Sequence, residues 1–150
     1  MSSMSRESVQ QEVREWLNTN WEPQLSLQAW RERLVNSGWA VPSWSGECFG
    51  RDLPVWADQV VAEELRLIGA AGNPLGSGMS LAAPTIVEHG SDELKRLILR
   101  QTLTGEKTWC QLFSEPGAGS DLASLSTSAV LDGDEWVING QKVWNTSAHH

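Results

Sequence analysis

Apolar residues near the start of the chain recur at the spacing of one helix face. Polar residues separate the four that stand at i, i+4, i+7 and i+8: Val9, Val13, Trp16 and Leu17. An α-helix brings such positions to one side because it completes a turn in about 3.6 residues. The pattern predicts a first amphipathic helix from Ser5 onward, with this face in a hydrophobic core.

The same spacing predicts four more helices up to Gly105. They span 26–38, 54–69, 79–88 and 91–105. Ser26 and Ser91 are expected to cap two of them, because a serine hydroxyl accepts a bond from an unpaired amide of the first turn. Pro84 interrupts the short helix, and the glycine- and proline-rich stretch 38–54 is expected to form an irregular loop.

Beyond Gly105 the pattern changes to that of strands. Residues 107–113 favour β structure, and strands are predicted at 126–131, 135–138 and 141–146. The segment Asp132-Gly133-Asp134 joins the first two of these strands, and Asn139-Gly140 predicts a two-residue hairpin turn between the last two. The predicted fold class is α+β, with a helical domain at 1–105 and a β-domain at 106–150.

Composition narrows the class of protein. The net charge is −8, with 11 Lys and Arg against 19 Asp and Glu, so nucleic acid is not an expected partner. Cys48 and Cys110 lack the spacing of a zinc site or a disulfide framework and are interpreted as reduced thiols. No apolar leader or membrane span is recognisable, so a soluble, cytoplasmic protein is expected. Most of the nine Trp are expected in core or interface positions.

The candidate chemistry lies in the loop 113–121. Pro116 fixes one backbone angle, and Gly117 and Gly119 are expected to permit angles or close approaches that a Cβ would block. Ser114 and Ser120 add hydroxyls, and Asp121 is expected to accept bonds from the loop's own amides. Loop chemistry alone leaves two interpretations open, a plain turn or a cradle for a phosphate or a polar ring edge.

Two linked motifs carry a family resemblance. The run Ser-Glu-Pro-Gly-Ala-Gly-Ser-Asp at 114–121 and the run Ile-Asn-Gly-Gln-Lys-Val-Trp-Asn-Thr at 138–146 resemble the flavin-binding segment of the acyl-CoA dehydrogenase family. The resemblance is strong over 91–146. It implies an N-terminal helical bundle, then the first strands of a β-barrel or sandwich domain, and a C-terminal helical domain that this chain lacks.

The resemblance also implies a function. The activity is α,β-dehydrogenation of an acyl-CoA thioester with FAD as cofactor, in fatty acid or steroid catabolism. An electron-transferring flavoprotein would take the electrons, and the whole protein would be a homo- or hetero-tetramer. The alternatives are a non-catalytic partner subunit of a mixed tetramer and a flavin oxidase of the same fold.

Site residues follow from the matched positions. Ser114 is expected at the pyrimidine edge of the flavin, Ser120 at the FAD phosphates and the substrate's pantetheine, and Thr146 at N5 and O4. Trp144 would pack on the ring, with Asn145 facing away because alternate side chains of a strand face opposite sides. The expected cofactor-binding residues are Gln111, Leu112, Phe113, Ser114, Gly119, Ser120, Trp144, Asn145 and Thr146.

Three of these positions depart from the family pattern. Leu112, Phe113 and Asn145 resemble a divergent, actinobacterial-type subgroup that handles bulky or steroid-derived thioesters. Ala82 and Ala83 lie in a region that borders the acyl pocket in the family and are expected to shape it.

No catalytic residue is assigned within the chain. Glu63 and Glu64 are neighbours on a helix and point about 100° apart, so they are expected to be solvated or capping. Glu115 is expected to bond to backbone inside its loop, and His89 to be structural. The catalytic base is expected beyond residue 150, and the 150 residues alone are expected to be inactive. His149 and His150 lack a third metal ligand and are expected to mark the point where a longer chain is cut.

Overall fold

The computed structural model describes residues 5–149. Residues 1–4 and His150, which enter the expectations about a leader and a terminal histidine pair, lie outside the described part. The chain forms two compact units, one up to Thr108 and one from Trp109 onward. The helices are α1 Arg6–Asn20, α2 Leu27–Asn36, α3 Trp56–Leu67, α4 Ala83–His89 and α5 Asp92–Thr104, and the strands are β1 Ser128–Asp132 and β2 Glu135–Asn139. The predicted α+β class is confirmed.

Serine caps open three of the helices, two of them at the predicted residues Ser26 and Ser91. The hydroxyls of Ser5, Ser26 and Ser91 each accept a hydrogen bond of 3.2 Å from the amide three residues later. Gly105 ends α5 with a φ of +80°, a left-handed conformation that glycine adopts without steric cost. Local side-chain chemistry therefore sets these helix ends.

The core of the N-terminal unit is built around tryptophan. Trp30 and Trp39 are each 1% exposed, among the buried residues of α1, α2, α3 and α5. The ring of Trp30 lies 4.7 Å from that of Trp21 and 5.7 Å from that of Trp16, and its Nε1 donates to the carbonyl of Ala71 at 2.6 Å. The face predicted for α1 is confirmed as core, because its apolar residues belong to this cluster and α1 packs on α3.

An ion pair between the buried Glu64 and the half-exposed Arg14 joins α1 to α3. Glu64 is 2% exposed and accepts from Arg14 Nε at 2.6 Å, Arg14 Nη2 at 2.9 Å and Gln10 Nε2 at 2.6 Å. The hydrogen bond from Arg14 is the main cause that lowers the pKa of Glu64. A solvated or capping role for Glu64 is therefore wrong, whereas its neighbour Glu63 is exposed as expected.

The irregular loop 38–54 is held by side chains. It contains one short 3₁₀ turn, Gly46–Cys48. Asp58 of α3 accepts from the amide of Ser43 at 3.0 Å and from its hydroxyl at 2.6 Å, and the guanidinium of Arg51 lies 3.8 Å above the ring of Trp39. None of the helices within residues 5–149 is long and apolar enough to cross a membrane.

The second unit contains one antiparallel hairpin. Its register pairs Asp132 with Glu135, so the turn consists of Gly133 and Asp134, and Gly133 has a φ of +62°. Every residue of both strands is exposed. The two predicted strands and their connection are confirmed to within two residues at each end.

The third predicted strand is wrong. Residues 141–146 lie outside the sheet, and neither Asn139 nor Gly140 has the positive φ of the predicted turn. Residues 107–113 form no strand either. Residues 141–146 do not pair with β2 because they bond to another segment. The amide of Val143 donates to the carbonyl of Ser114 at 3.0 Å.

Candidate functional site

The loop 113–121 is a tight turn. Glu115 and Ala118 exchange backbone hydrogen bonds of 2.9 and 3.1 Å, which places Pro116 and Gly117 at the tip. Gly117 and Gly119 do not have positive φ, and a Cβ at either would meet no atom within 4 Å. The special backbone freedom expected of these two glycines is therefore not required in this conformation.

The carboxylate of Glu115 is the centre of the unit's hydrogen bonding. Glu115 is 6% exposed, and its Oε2 accepts from the amide of Ser126 at 2.7 Å and from the hydroxyl at 2.9 Å. Its Oε1 accepts from the amide of Thr127 at 3.0 Å and from Lys142 Nζ at 2.8 Å. These partners lie outside the loop, so the expectation that Glu115 bonds to backbone inside its own loop is wrong.

These bonds decide the charge of Glu115. Donation by Lys142, followed by donation from Thr127 and Ser126, holds the pKa of the carboxyl far below its usual range. A group with a lowered pKa stays ionised throughout the neutral range and accepts a proton only in strong acid. Glu115 is therefore unsuited to act as a general base near neutral pH, as expected from its position in the loop.

Besides the bond from Lys142 to Glu115, two hydrogen bonds bring the second motif to the loop. Lys142 Nζ donates to the carbonyl of Phe113 at 3.0 Å, and the amide of Val143 donates to the carbonyl of Ser114 at 3.0 Å. Trp144 follows with a φ of +60°, so the regular alternation of a strand is broken there. The strand argument that placed Trp144 and Thr146 on one side is therefore wrong.

Most of the predicted cofactor-binding residues lie on the surface of the second unit. The side chains of Leu112 and Phe113 are half exposed, and Trp144 is 89% exposed. Ser114 and Asn145 are half-buried. The other seven are exposed: Gln111, Leu112, Phe113, Gly119, Ser120, Trp144 and Thr146. Exposed indole and hydroxyl groups of this kind are available to a ligand.

The charges of this region restrict how it binds anions. Lys142 is the sole Lys or Arg in 109–150, against five acidic residues, and its ammonium group is used by Glu115. The amides of Gly119 and Ser120 donate to no group within residues 5–149. Anion recognition by this region must therefore use amides and hydroxyls. Ser124 donates to the carbonyl of Asp121, and the Asp121 carboxylate accepts no hydrogen bond within residues 5–149, so the expectation that it bonds to the loop's own amides is wrong.

Sequence reasoning missed the pairing of Glu115 with Lys142. Each residue belongs to one of the two linked motifs, and they stand 27 positions apart. The available signal was the lone cation of the region. A buried carboxylate beside Pro116 needs a partner, and Lys142 is the only strong cation that the region supplies.

The N-terminal unit contains a cavity of about 490 Å³. Its lining includes Trp39, Val41, Leu65, Asn73 and Met79. Ala83, expected to shape an acyl pocket, is 1% exposed and lies in a core cluster with Cys48 and Leu99, and its role beside such a pocket stays a prediction. Ala82 is half-buried in the single π turn Gly78–Ala82 that precedes α4.

Fold and site together define a helical unit followed by a small β unit with an exposed, hydroxyl-rich surface. The acyl-CoA dehydrogenase N-terminal domain family matches residues 1–106, and the acyl-CoA dehydrogenase middle domain family matches residues 110–150. The chain belongs to the acyl-CoA dehydrogenase family.

Relatives and solved structures agree with this membership. Acyl-CoA dehydrogenase IpdE1 of Mycobacterium tuberculosis is 42% identical over 122 residues, which are 81% of this chain and 32% of that protein. The ChsE4-ChsE5 complex from M. tuberculosis matches with a TM-score of 0.62 at 30% identity, covering 99% of this chain and 41% of that one. The Tcur3481-Tcur3483 steroid ACAD matches with a TM-score of 0.57 at 27% identity, covering 92% and 38%.

The matches cover only part of each relative. The chain spans about a third of the length of IpdE1, as the 32% coverage states. Activity, substrates and partners of a whole protein are therefore matters for proposal.

A substitution at Gly140 tests the packing beside the site. A Cβ at Gly140 would lie 2.1 Å from Thr127 Oγ1 and 2.6 Å from Thr127 Cβ. We expect Gly140→Val to lower the free energy of unfolding by about 1–3 kcal/mol, the usual cost of overpacking. Chemical denaturation measures it, with Gly117→Val as the control because that position is open. Equal stability of the two variants would contradict this packing.

Proposed function

We propose that this chain binds FAD through its second unit and contributes it to an acyl-CoA dehydrogenase. The observation that carries the proposal is the 3.0 Å hydrogen bond from the Val143 amide to the Ser114 carbonyl, which joins the two motifs. This bond supports a common flavin-binding surface for the residues assigned on both motifs. These residues are Gln111, Leu112, Phe113, Ser114, Gly119, Ser120, Trp144, Asn145 and Thr146.

The available groups suit the chemistry of FAD. The half-exposed Phe113 and the exposed Trp144 offer aromatic surface to a planar ring. The unbonded amides of Gly119 and Ser120, with the Ser120 hydroxyl, suit phosphate oxygens in a region without a free Lys or Arg. Ser114 and Thr146 would supply further donors to the ring edge, and Ser120 would also meet the substrate's pantetheine.

The proposed reaction of the whole protein is α,β-dehydrogenation of an acyl-CoA thioester. FAD would supply the hydride acceptor, and the protein would supply positioning and electrostatics. The buried carboxylates Glu64 and Glu115 are both paired with cations, so the catalytic base belongs elsewhere. We propose the helical domain at 1–105 and the flavin-binding domain at 106–150, in a cytoplasmic tetramer that passes electrons to an electron-transferring flavoprotein.

The acyl group is proposed to be bulky. The lining of the 490 Å³ cavity is largely apolar, a property that suits an apolar acyl group. The neighbour named as a steroid ACAD supports a steroid-derived thioester over a short linear one.

A second candidate function is that of a non-catalytic partner subunit in a mixed tetramer. The observation that favours it is the neighbour named as a complex of two proteins, ChsE4 and ChsE5. Such a subunit would keep the fold without completing a catalytic site. The two candidates differ in whether the protein retains flavin and turns over by itself.

Flavin content tests the proposal. We expect the full-length protein that contains this chain to purify yellow, with a flavin-to-protein ratio near one after gel filtration. The ratio is obtained by comparing the flavin absorbance near 450 nm with the protein absorbance at 280 nm. A colourless protein that cannot be reconstituted with FAD would favour the partner-subunit alternative. Assay of the yellow protein with short-chain, long-chain and steroid-derived acyl-CoA thioesters then measures acyl specificity.

A further inference from the structure

We infer that Lys142 and Glu115 form a positioning pair that holds the two flavin-binding segments at a fixed spacing. The inference rests on the proposed function, because it concerns how the same surface is kept in shape. Neither residue is assigned to flavin contact. Each acts by holding in place the segment of the chain to which it belongs.

Lys142 bridges two acceptors on the loop. Its Nζ lies 2.8 Å from Glu115 Oε1 and 3.0 Å from the carbonyl oxygen of Phe113. The side chain of Lys142 is 19% exposed and that of Glu115 is 4% exposed. A charge-assisted bond shielded in this way is stronger and less screened than a surface ion pair.

Glu115 extends the link to a third segment. Its carboxylate also accepts from the amides of Ser126 at 2.7 Å and Thr127 at 3.0 Å, just before β1. One side chain thus ties together the loop, the approach to the hairpin and the segment that carries Trp144. Its low pKa is consistent with a carboxylate that all of these donors stabilise in the ionised form.

The consequence concerns Trp144 and Thr146. They follow Lys142 by two and four residues, in a segment that no sheet holds in place. The bonds made by Lys142 and Val143 are the contacts that join this segment to the loop carrying Ser114. Without Lys142, the segment loses its two side-chain bonds to Phe113 and Glu115 and keeps the backbone bond from Val143 to Ser114. The spacing between the two flavin-binding segments then becomes variable.

The test uses Lys142→Met in the full-length protein. Met keeps most of the apolar stem and removes the ammonium group. Lys107→Met is the matched control, because Lys107 is exposed in the other unit and its side chain bonds to no group within residues 5–149. The flavin dissociation constant is measured by fluorescence titration of apoprotein at a temperature where circular dichroism shows every variant folded.

We expect Lys142→Met to weaken FAD binding by on the order of 10–100-fold. Residues that orient metal ligands have effects of this size on metal affinity when they are replaced. Lys107→Met is expected to bind like wild type. The absorption band of the flavin that remains bound to Lys142→Met should differ in shape from that of wild type, because the surroundings of the ring become variable. Lys142→Arg keeps the charge and should recover part of the affinity.

Three results would overturn the inference. One is a folded Lys142→Met protein that binds FAD as Lys107→Met does, with an unchanged absorption band, while wild type binds normally. If Lys142→Met does not fold, the double variant Glu115→Gln/Lys142→Met removes the unpaired charge. Weak FAD binding by that variant when folded supports the inference, whereas normal binding or failure to fold overturns it. Loss of flavin from wild type and Lys107→Met alike contradicts the proposed function itself.

Discussion

Replacing Trp30 with Ala is expected to lower the free energy of unfolding of the N-terminal unit by about 3–5 kcal/mol. The indole of Trp30 is 1% exposed and packs against Trp16 and Trp21. Truncation removes this aromatic contact, leaves a cavity, and deprives the carbonyl of Ala71 of its 2.6 Å donor. Lost packing and an unsatisfied carbonyl both destabilise the folded state, so we expect the cost to lie in this range.

Chemical denaturation followed by circular dichroism measures the effect. Trp136→Ala is the control, because the same residue type is 65% exposed on β2. We expect the control to change the free energy of unfolding by less than about 0.5 kcal/mol, as is usual for surface positions. Similar losses for the two variants would mean that Trp30 does not hold the core together.

Replacing Thr146 with Ala in the full-length protein is expected to slow flavin reduction by roughly 10²–10³-fold, the usual effect of removing one donor that stabilises developing charge. The Thr146 hydroxyl is exposed and makes no hydrogen bond within residues 5–149, so it is free to donate to a bound ring. Acyl-CoA binding should weaken much less, because the hydrogen bond matters most as charge develops at N5.

Rapid mixing with acyl-CoA under anaerobic conditions measures the reduction rate, and titration measures binding. Thr19→Ala is the control, because Thr19 is exposed on α1 and its hydroxyl bonds only to the carbonyl of Glu15 at 3.1 Å. Equal reduction rates for Thr146→Ala and wild type would show that the assignment of Thr146 is wrong. A loss of flavin from Thr146→Ala would instead indicate a role in binding.

Helices were predictable because their signals are local. The spacing of Val9, Val13 and Leu17 determines which face of α1 is buried, and Ser5 determines where the helix begins. The hairpin was predictable for the same reason, since Gly133 supplies the left-handed turn between two short apolar runs. Each of these features depends on residues that are near one another in the chain.

The site was predictable only in part. The two motifs indicated which segments belong together, and the bond between Val143 and Ser114 joins them. Their local conformation was not predictable, because Asn139-Gly140 is a strong hairpin signal that the structure does not use. A Gly at position 140 instead makes room for Thr127, which lies too close for any Cβ.

The apolar face of α1, the serine caps, the β1–β2 hairpin and the family followed from the sequence, because each depends on local spacing or on short motifs. Tertiary structure alone decided the burial of Glu64, which depends on Arg14 at a distance of 50 positions. It also decided the path of 141–146, where Lys142 donates to the carboxylate of Glu115, 27 positions earlier in the chain. Partners so distant in sequence leave no periodic signal, since a hydrogen bond or an ion pair requires proximity only in the folded chain.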